Sequence, residues 1–164
     1  MQIILDHAQI EQKIIRIGHQ ILENCTEENT IFIGGIVGNG SILAQKLGKV
    51  IRINSAIEVI NFDILVNKDE PWSENIQLTI DEKTIKKGYI FLVDDVINSG
   101  KTMQYSLVKL LEQATKAIKT VALVDRQHRR YPIKADYVGL SLSTTLKNRV
   151  EVEFNENDSK AYLI

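Results

Sequence analysis

At 164 residues the chain is long enough to bury most of its apolar surface in one core, and no second domain need be invoked. Its 44% hydrophobic and 25% charged residues exclude a disordered or fibrous polypeptide. With 20 basic residues against 21 acidic ones the net charge is -1, which argues against broad non-specific binding of nucleic acid and leaves room only for a local basic patch.

The chain shows no repeat, low-complexity tract or Pro/Gly/Ser-rich linker, so it reads as one continuous domain over residues 1–164. Residues 8–24 place Ile10, Ile14, Ile15, Ile17, Ile21 and Leu22 at near-helical spacing, and the polar run at 24–29 ends an amphipathic helix. The apolar run 30–33 stops at Gly34-Gly35, and helical spacing resumes over 41–47 after Asn39-Gly40, which predicts strand, glycine turn and helix. Alternation over 56–64 predicts a strand. Residues 67–81 are polar and contain Pro71, so a mobile loop is expected near 66–82. The near-continuous apolar run 89–93 has the character of a strand covered on both faces, at the centre of a sheet. A helix over 102–113 with Leu107, Leu110 and Leu111 inward and a buried strand over 120–124 follow. Two βα units in succession imply parallel strands joined by right-handed crossovers. Short strands are expected at 136–142 and 150–154, with an edge strand at 161–164. The predicted class is α/β, a central and mainly parallel sheet flanked by helices.

Cys25 is the only cysteine, so there is no disulfide framework or thiolate metal cluster, which fits a reducing compartment. No apolar run is long enough to span a bilayer, and the N-terminus lacks a basic region followed by an apolar stretch. The expected location is the cytoplasm, with no membrane partner.

The chemistry concentrates where the apolar strand meets Asp94-Asp95 and runs through Asn98-Ser99-Gly100-Lys101-Thr102 into a helix. Open α/β sheets bind ligands beyond the carboxyl ends of their strands. The loop offers hydroxyls, a glycine that permits close backbone approach and unpaired amides at a helix start, all suited to phosphate. The neighbouring carboxylates suit hydroxyl groups or, through water, Mg2+. A phosphorylated pentose satisfies both halves. Helix capping is the alternative role for the acids, but two adjacent carboxylates ending so apolar a strand are costly unless solvated or used. A nucleotide P-loop fails, because the first glycine of GxxxxGK[ST] would fall at Asp95.

These residues resemble the signature of the type I phosphoribosyltransferases: a hydrophobic strand, two acids and a short Thr/Ser-Gly-x-Thr loop. The resemblance implies that fold, and that Asp94 and Asp95 contact the ribose hydroxyls of 5-phosphoribosyl-1-pyrophosphate (PRPP), the metal being met through water or the ribose. It also implies that Asn98, Ser99, Gly100, Lys101 and Thr102 hold the 5′-phosphate. The segment from Leu123 to Gly139 is similar to the bifunctional pyrimidine-operon attenuator and uracil phosphoribosyltransferase family. That likeness implies transfer of the phosphoribosyl group to a nucleobase such as uracil with release of pyrophosphate, Mg2+ as cofactor, and a homodimer. It places Arg126, Tyr137 and Val138 at the base. For Tyr137 and Val138 a half-buried strand is the competing reading.

The loop Val37-Gly38-Asn39-Gly40 stands where that family holds pyrophosphate, and glycine-loop amides can do so without side chains. The relatives carry a lysine and an arginine at Val37 and Asn39, so affinity for the pyrophosphate end is expected to suffer. They also carry a Tyr-Arg-Asp-Asp run where this chain has Asn67-Lys68-Asp69-Glu70. Lys68 keeps a cation for the departing pyrophosphate, as a point charge and not a bidentate fork; a solvated loop lysine is the competing reading. A dinucleotide fingerprint at Gly38-x-Gly40 fails for want of a third glycine.

His128, Arg129, Arg130 and Lys134 form a basic cluster, and in the attenuator family the matching segment takes part in binding an mRNA hairpin. A weakly active or inactive nucleotide-sensing regulator that binds RNA is therefore the alternative to the enzyme. A solvated face or dimer contact is also open. His7 and His19 share no metal-ligand spacing with other residues.

Overall fold

The computed structural model describes residues 1–143, 145 and 148–164. Helix α1 (His7–Asn24) starts at Asp6, whose carboxylate accepts from the Gln9 N–H at 2.8 Å while the Gln9 side chain accepts from the Asp6 N–H at 2.9 Å. This reciprocal cap satisfies two otherwise orphaned donors. Ile10, Ile14, Ile17 and Ile21 form its buried stripe, whereas Ile15 is exposed.

Strand β2 (Thr30–Ile36), helix α2 (Asn39–Asn54) and strand β3 (Glu58–Leu65) follow, then β4 (Gln77–Leu78), β5 (Tyr89–Ile97), helix α3 (Lys101–Leu110), β6 (Ala117–Asp125) and β7 (Tyr137–Ser141). The main sheet has the order β4-β3-β2-β5-β6-β7, parallel except for the β3–β4 pair. This is the expected α/β fold. Phe91 and Val93 of β5 pack into the cluster formed with α1 and α2, while Ile90 and Leu92 pack towards Met103 and Leu110 of α3. Covering on both faces explains the unbroken apolar run.

Gly34-Gly35 is not a turn; β2 continues through both glycines. A Cβ on Gly34 would lie 2.5 Å from Phe62 Cζ, and one on Gly35 2.6 Å from Gly40 O, so these residues let α2 and a ring approach the strand closely. The turn lies at Val37-Gly38, with Gly38 at φ +96°. Strand β5 likewise does not stop at Val93: the ladder to β6 pairs Asp94 with Ala122 and Val96 with Val124.

Strands β1 (Gln2–Leu5), β8 (Val150–Glu153) and β9 (Lys160–Leu163) form a second, antiparallel sheet of order β1-β9-β8. The C-terminal strand is therefore central in its sheet and not an edge, and its Ala161 is fully buried. Both termini contribute to this sheet, a non-local pairing that periodicity cannot reveal. Among the described residues no helix is long and apolar enough to cross a membrane.

Candidate functional site

A cavity of about 520 Å³ opens at the carboxyl ends of the central strands, lined by Asn39, Lys68, Asp69, Asp94, Asp95, residues 98–102 and strand β8. It brings together the acid pair, Lys68, Asn39 and residues 98–102. Asp94 is buried, and its Oδ1 accepts from the Asp95 N–H at 2.9 Å and lies 3.6 Å from Lys68 Nζ. Gly40 makes this possible: a Cβ there would stand 2.9 Å from Val93 O and 3.0 Å from Asp94 Oδ1. Asn39 Nδ2 donates to Asp95 Oδ2 at 3.1 Å.

Burial, and next the negative charge of Asp95, hold the Asp94 carboxyl well above the usual range, against the pull of Lys68. A carboxyl raised on folding favours the folded state at low pH and disfavours it as pH rises through the folded value. Asp94→Asn is therefore expected to raise the melting temperature at pH 7, and the gain should shrink as pH falls towards the ordinary value of 3.8. Calorimetric scans across pH measure this; a variant less stable than wild type at pH 7 would contradict it.

Gly100 begins α3 at φ +86°, and a Cβ there would meet Ile133 Cγ2 at 2.2 Å. The Lys101 N–H reaches Ser99 Oγ at 3.2 Å, and no side chain caps α3 from Gly100, leaving a helix start suited to an anion. The loop is fastened from below. Ser99 O accepts from the Arg130 and Tyr131 N–H groups at 2.8 and 3.1 Å, and Asn98 O accepts from Arg129 at 3.0 Å. Asn98 Oδ1 accepts from Arg126 at 2.8 Å.

The segment expected to be a mobile loop lies against α3. Lys101 Nζ donates to Asp69 O at 2.8 Å and sits 5.6 Å from the Trp72 ring centroid. Thr102 Oγ1 donates to Lys68 O at 3.5 Å, and Trp72 packs on Tyr105 with centroids 6.1 Å apart. Part of the segment, β4, is paired with β3.

Other singled-out residues do not line the cavity themselves. Arg126 is buried and also donates to Thr145 O at 3.3 Å and to Asn148 O. Tyr137 is buried on the α1 face, its hydroxyl accepting from Asn24 Nδ2 at 2.9 Å and its ring 6.0 Å from that of Phe91. Val138 O and Gly139 O accept from Arg16. Val37 is exposed, with its N–H donating to Ile64 O at 3.0 Å, and Gly38 stands beside it at the turn. In the basic cluster, Arg129 pairs with Asp125 at 2.9 Å and donates to Ile133 O at the same distance. Arg130 and Lys134 are exposed and His128 is half-buried.

Sequence reasoning missed Val150, Glu151, Val152 and Glu153 as a wall of the cavity. Their alternation signals a strand but not its place. Cys25 is buried and its thiol is raised to about 11, first by burial and then by Glu28, so it is a core residue.

The profile described as the phosphoribosyl transferase domain matches residues 1–156. The chain is 33% identical over 173 residues to the bifunctional protein PyrR of Fusobacterium nucleatum, the match covering 100% of this chain and 97% of that protein. It is 32% identical over 170 residues to the bifunctional protein PyrR of Bacillus cereus, with 96% and 93% covered. In fold it is similar to a hypoxanthine-guanine phosphoribosyltransferase from Bacillus anthracis, with TM-score 0.73, 21% identity and 87% and 82% of the two chains covered. It is also similar to the hypoxanthine phosphoribosyltransferase of Trypanosoma cruzi, with TM-score 0.76, 16% identity and 98% and 95% covered. The chain belongs to the phosphoribosyltransferase domain family. Within that family it is closely related to the bacterial PyrR proteins.

Proposed function

We propose that the chain is a nucleotide-sensing regulator that takes a ribose 5-phosphate unit at residues 94–102 and binds RNA, with phosphoribosyl transfer from PRPP weak or absent. The contrast between the two halves of the site carries this reading. The ribose and phosphate half has its acids, glycine and helix start in place. On the pyrophosphate side Val37 is apolar and the Asn39 amide is engaged by Asp95 and Val152. Each missing charge-assisted contact is worth roughly 1.5–3 kcal/mol to an anion.

A second reading, transfer to a nucleobase such as uracil, draws support from the relatives' description as bifunctional. In it Asp94 and Asp95 orient the ribose, Lys68 offsets charge on departing pyrophosphate, and an oxocarbenium-like centre forms without a side-chain nucleophile. Mg2+ fits as an ion brought in by the ligand: the adjacent acids Asp94 and Asp95 line the cavity, and the described residues hold no group of three metal-binding side chains. Such an ion commonly takes one or two carboxylates plus phosphate oxygens, and when bound it neutralises pyrophosphate charge. Screening uracil, hypoxanthine, guanine, xanthine, adenine and orotate for pyrophosphate release from PRPP and Mg2+ separates the readings. Slow or absent release, with uridine 5′-monophosphate still bound, supports the regulator; rapid release with any base supports the enzyme.

RNA contact falls to Arg130 and Lys134 more than to Arg129, which serves the fold through Asp125 and Asn98. In a gel shift with a hairpin from the protein's own operon, Arg130→Ala with Lys134→Ala is expected to weaken binding at least several-fold, since each phosphate contact adds to affinity. Full retention would reject this patch. Ligand entry is also expected to release the segment near 66–82, because Lys101 and Thr102 donate to its carbonyls. Trp72 is the only tryptophan, so its emission should shift on saturation with ribose 5-phosphate. An unchanged spectrum at saturation would count against release.

A further inference from the structure

Asn39 opens α2 and is half-buried between three elements. Its amide nitrogen donates to Asp95 Oδ2 at 3.1 Å and to Val152 O at 2.7 Å. The two contacts tie the start of α2 to the acidic end of β5 and to β8, a strand that lines the cavity. A side-chain amide has two N–H donors, so both are used; its remaining polar atom is a carbonyl oxygen, which is repelled by an anion. Gly40 beside it lets the backbone press against Asp94, which holds Asn39 at this distance from the acid pair.

We propose that Asn39 is a positioning residue that fixes the Asp95 carboxylate for the ribose hydroxyls and anchors β8 beside it in the cavity wall, and is not a ligand of pyrophosphate. This rests on residues 94–102 being the ribose-phosphate site. With Oδ2 held by Asn39, the carboxylate keeps one orientation and presents its other lone pairs to a hydroxyl donor. The tie to Val152 makes β8 part of the same unit, so the acid and that strand move together.

Calorimetric titration of ribose 5-phosphate, and separately of inorganic pyrophosphate with Mg2+, tests this on wild type, Asn39→Ala, Asn39→Asp, Asp95→Ala and the Asn39→Ala/Asp95→Ala pair. Asn39→Ala is expected to weaken ribose 5-phosphate about ten-fold or more. It should leave pyrophosphate within about two-fold, and should cost no more than about two-fold further in the Asp95→Ala background. Asn39→Asp keeps the size and packing but swaps the donor for a like charge, so it should lose at least as much. Wild-type ribose 5-phosphate affinity in Asn39→Asp, or a loss confined to pyrophosphate, would overturn the proposal even if Asn39→Ala fails to fold. Unchanged affinity in Asp95→Ala would instead overturn the site on which it rests.

Discussion

Replacing both acids, Asp94→Asn with Asp95→Asn, is expected to weaken ribose 5-phosphate binding about 100-fold or more while the fold persists. Hydroxyl donors to a charged acceptor contribute about 1.5–3 kcal/mol each, and two such contacts correspond to that loss. The fold should survive because the Asp94 carboxyl is buried against a neighbouring acid, and an amide in its place removes the like-charge pair. The local backbone contact also survives, because the Asp95 N–H donates to Asp94 Oδ1 and an Asn side-chain oxygen can still accept there. Calorimetry reads the affinity and a thermal scan the fold. Wild-type affinity in the double variant would show that the acids do not hold the ribose.

Gly100→Ala should damage stability and phosphate binding together. At φ +86° a side-chain-bearing residue costs about 1–2 kcal/mol, and forcing a Cβ to 2.2 Å from Ile133 Cγ2 adds overpacking of about 1–3 kcal/mol. Urea unfolding is therefore expected to show a loss of about 2–5 kcal/mol, reduced when Ile133→Ala relieves the contact relative to Ile133→Ala alone. The same clash pushes the loop off residues 129–131, which donate to the Ser99 and Asn98 carbonyls. A Gly100→Ala protein as stable as wild type would show that the loop has another conformation of similar energy.

The acid pair, the loop at 98–102 and the central strand are legible because each is a local pattern: an unbroken apolar run, two carboxylates, then Gly100 before a helix. Periodicity likewise located α1, apart from the exposure of Ile15. Other features depend on partners far along the chain. Gly34-Gly35 looks like a turn until Phe62 and Gly40 are seen pressing on it. Strand β8 lines the cavity only because β9 pairs it with β1 from the opposite terminus. Arg129 reads as a surface cation, yet its partner Asp125 closes β6 four residues earlier. Tyr137 reads equally as a base-stacking or a sheet residue, and its environment against Phe91 and Asn24 is set by packing that a single sequence does not display. Lys101, expected by resemblance to hold phosphate, has its ammonium on the Asp69 carbonyl beside Trp72, a contact that depends on the 66–82 segment lying against α3.

The most direct test compares two ligands on the wild-type protein: ribose 5-phosphate, and PRPP with Mg2+, titrated in the same calorimeter. An intact ribose-phosphate half beside a weak pyrophosphate half predicts that both bind and that their affinities differ by no more than about ten-fold, the equivalent of about 1.4 kcal/mol. PRPP binding tighter by about 100-fold or more, or no binding of ribose 5-phosphate at all, would contradict it.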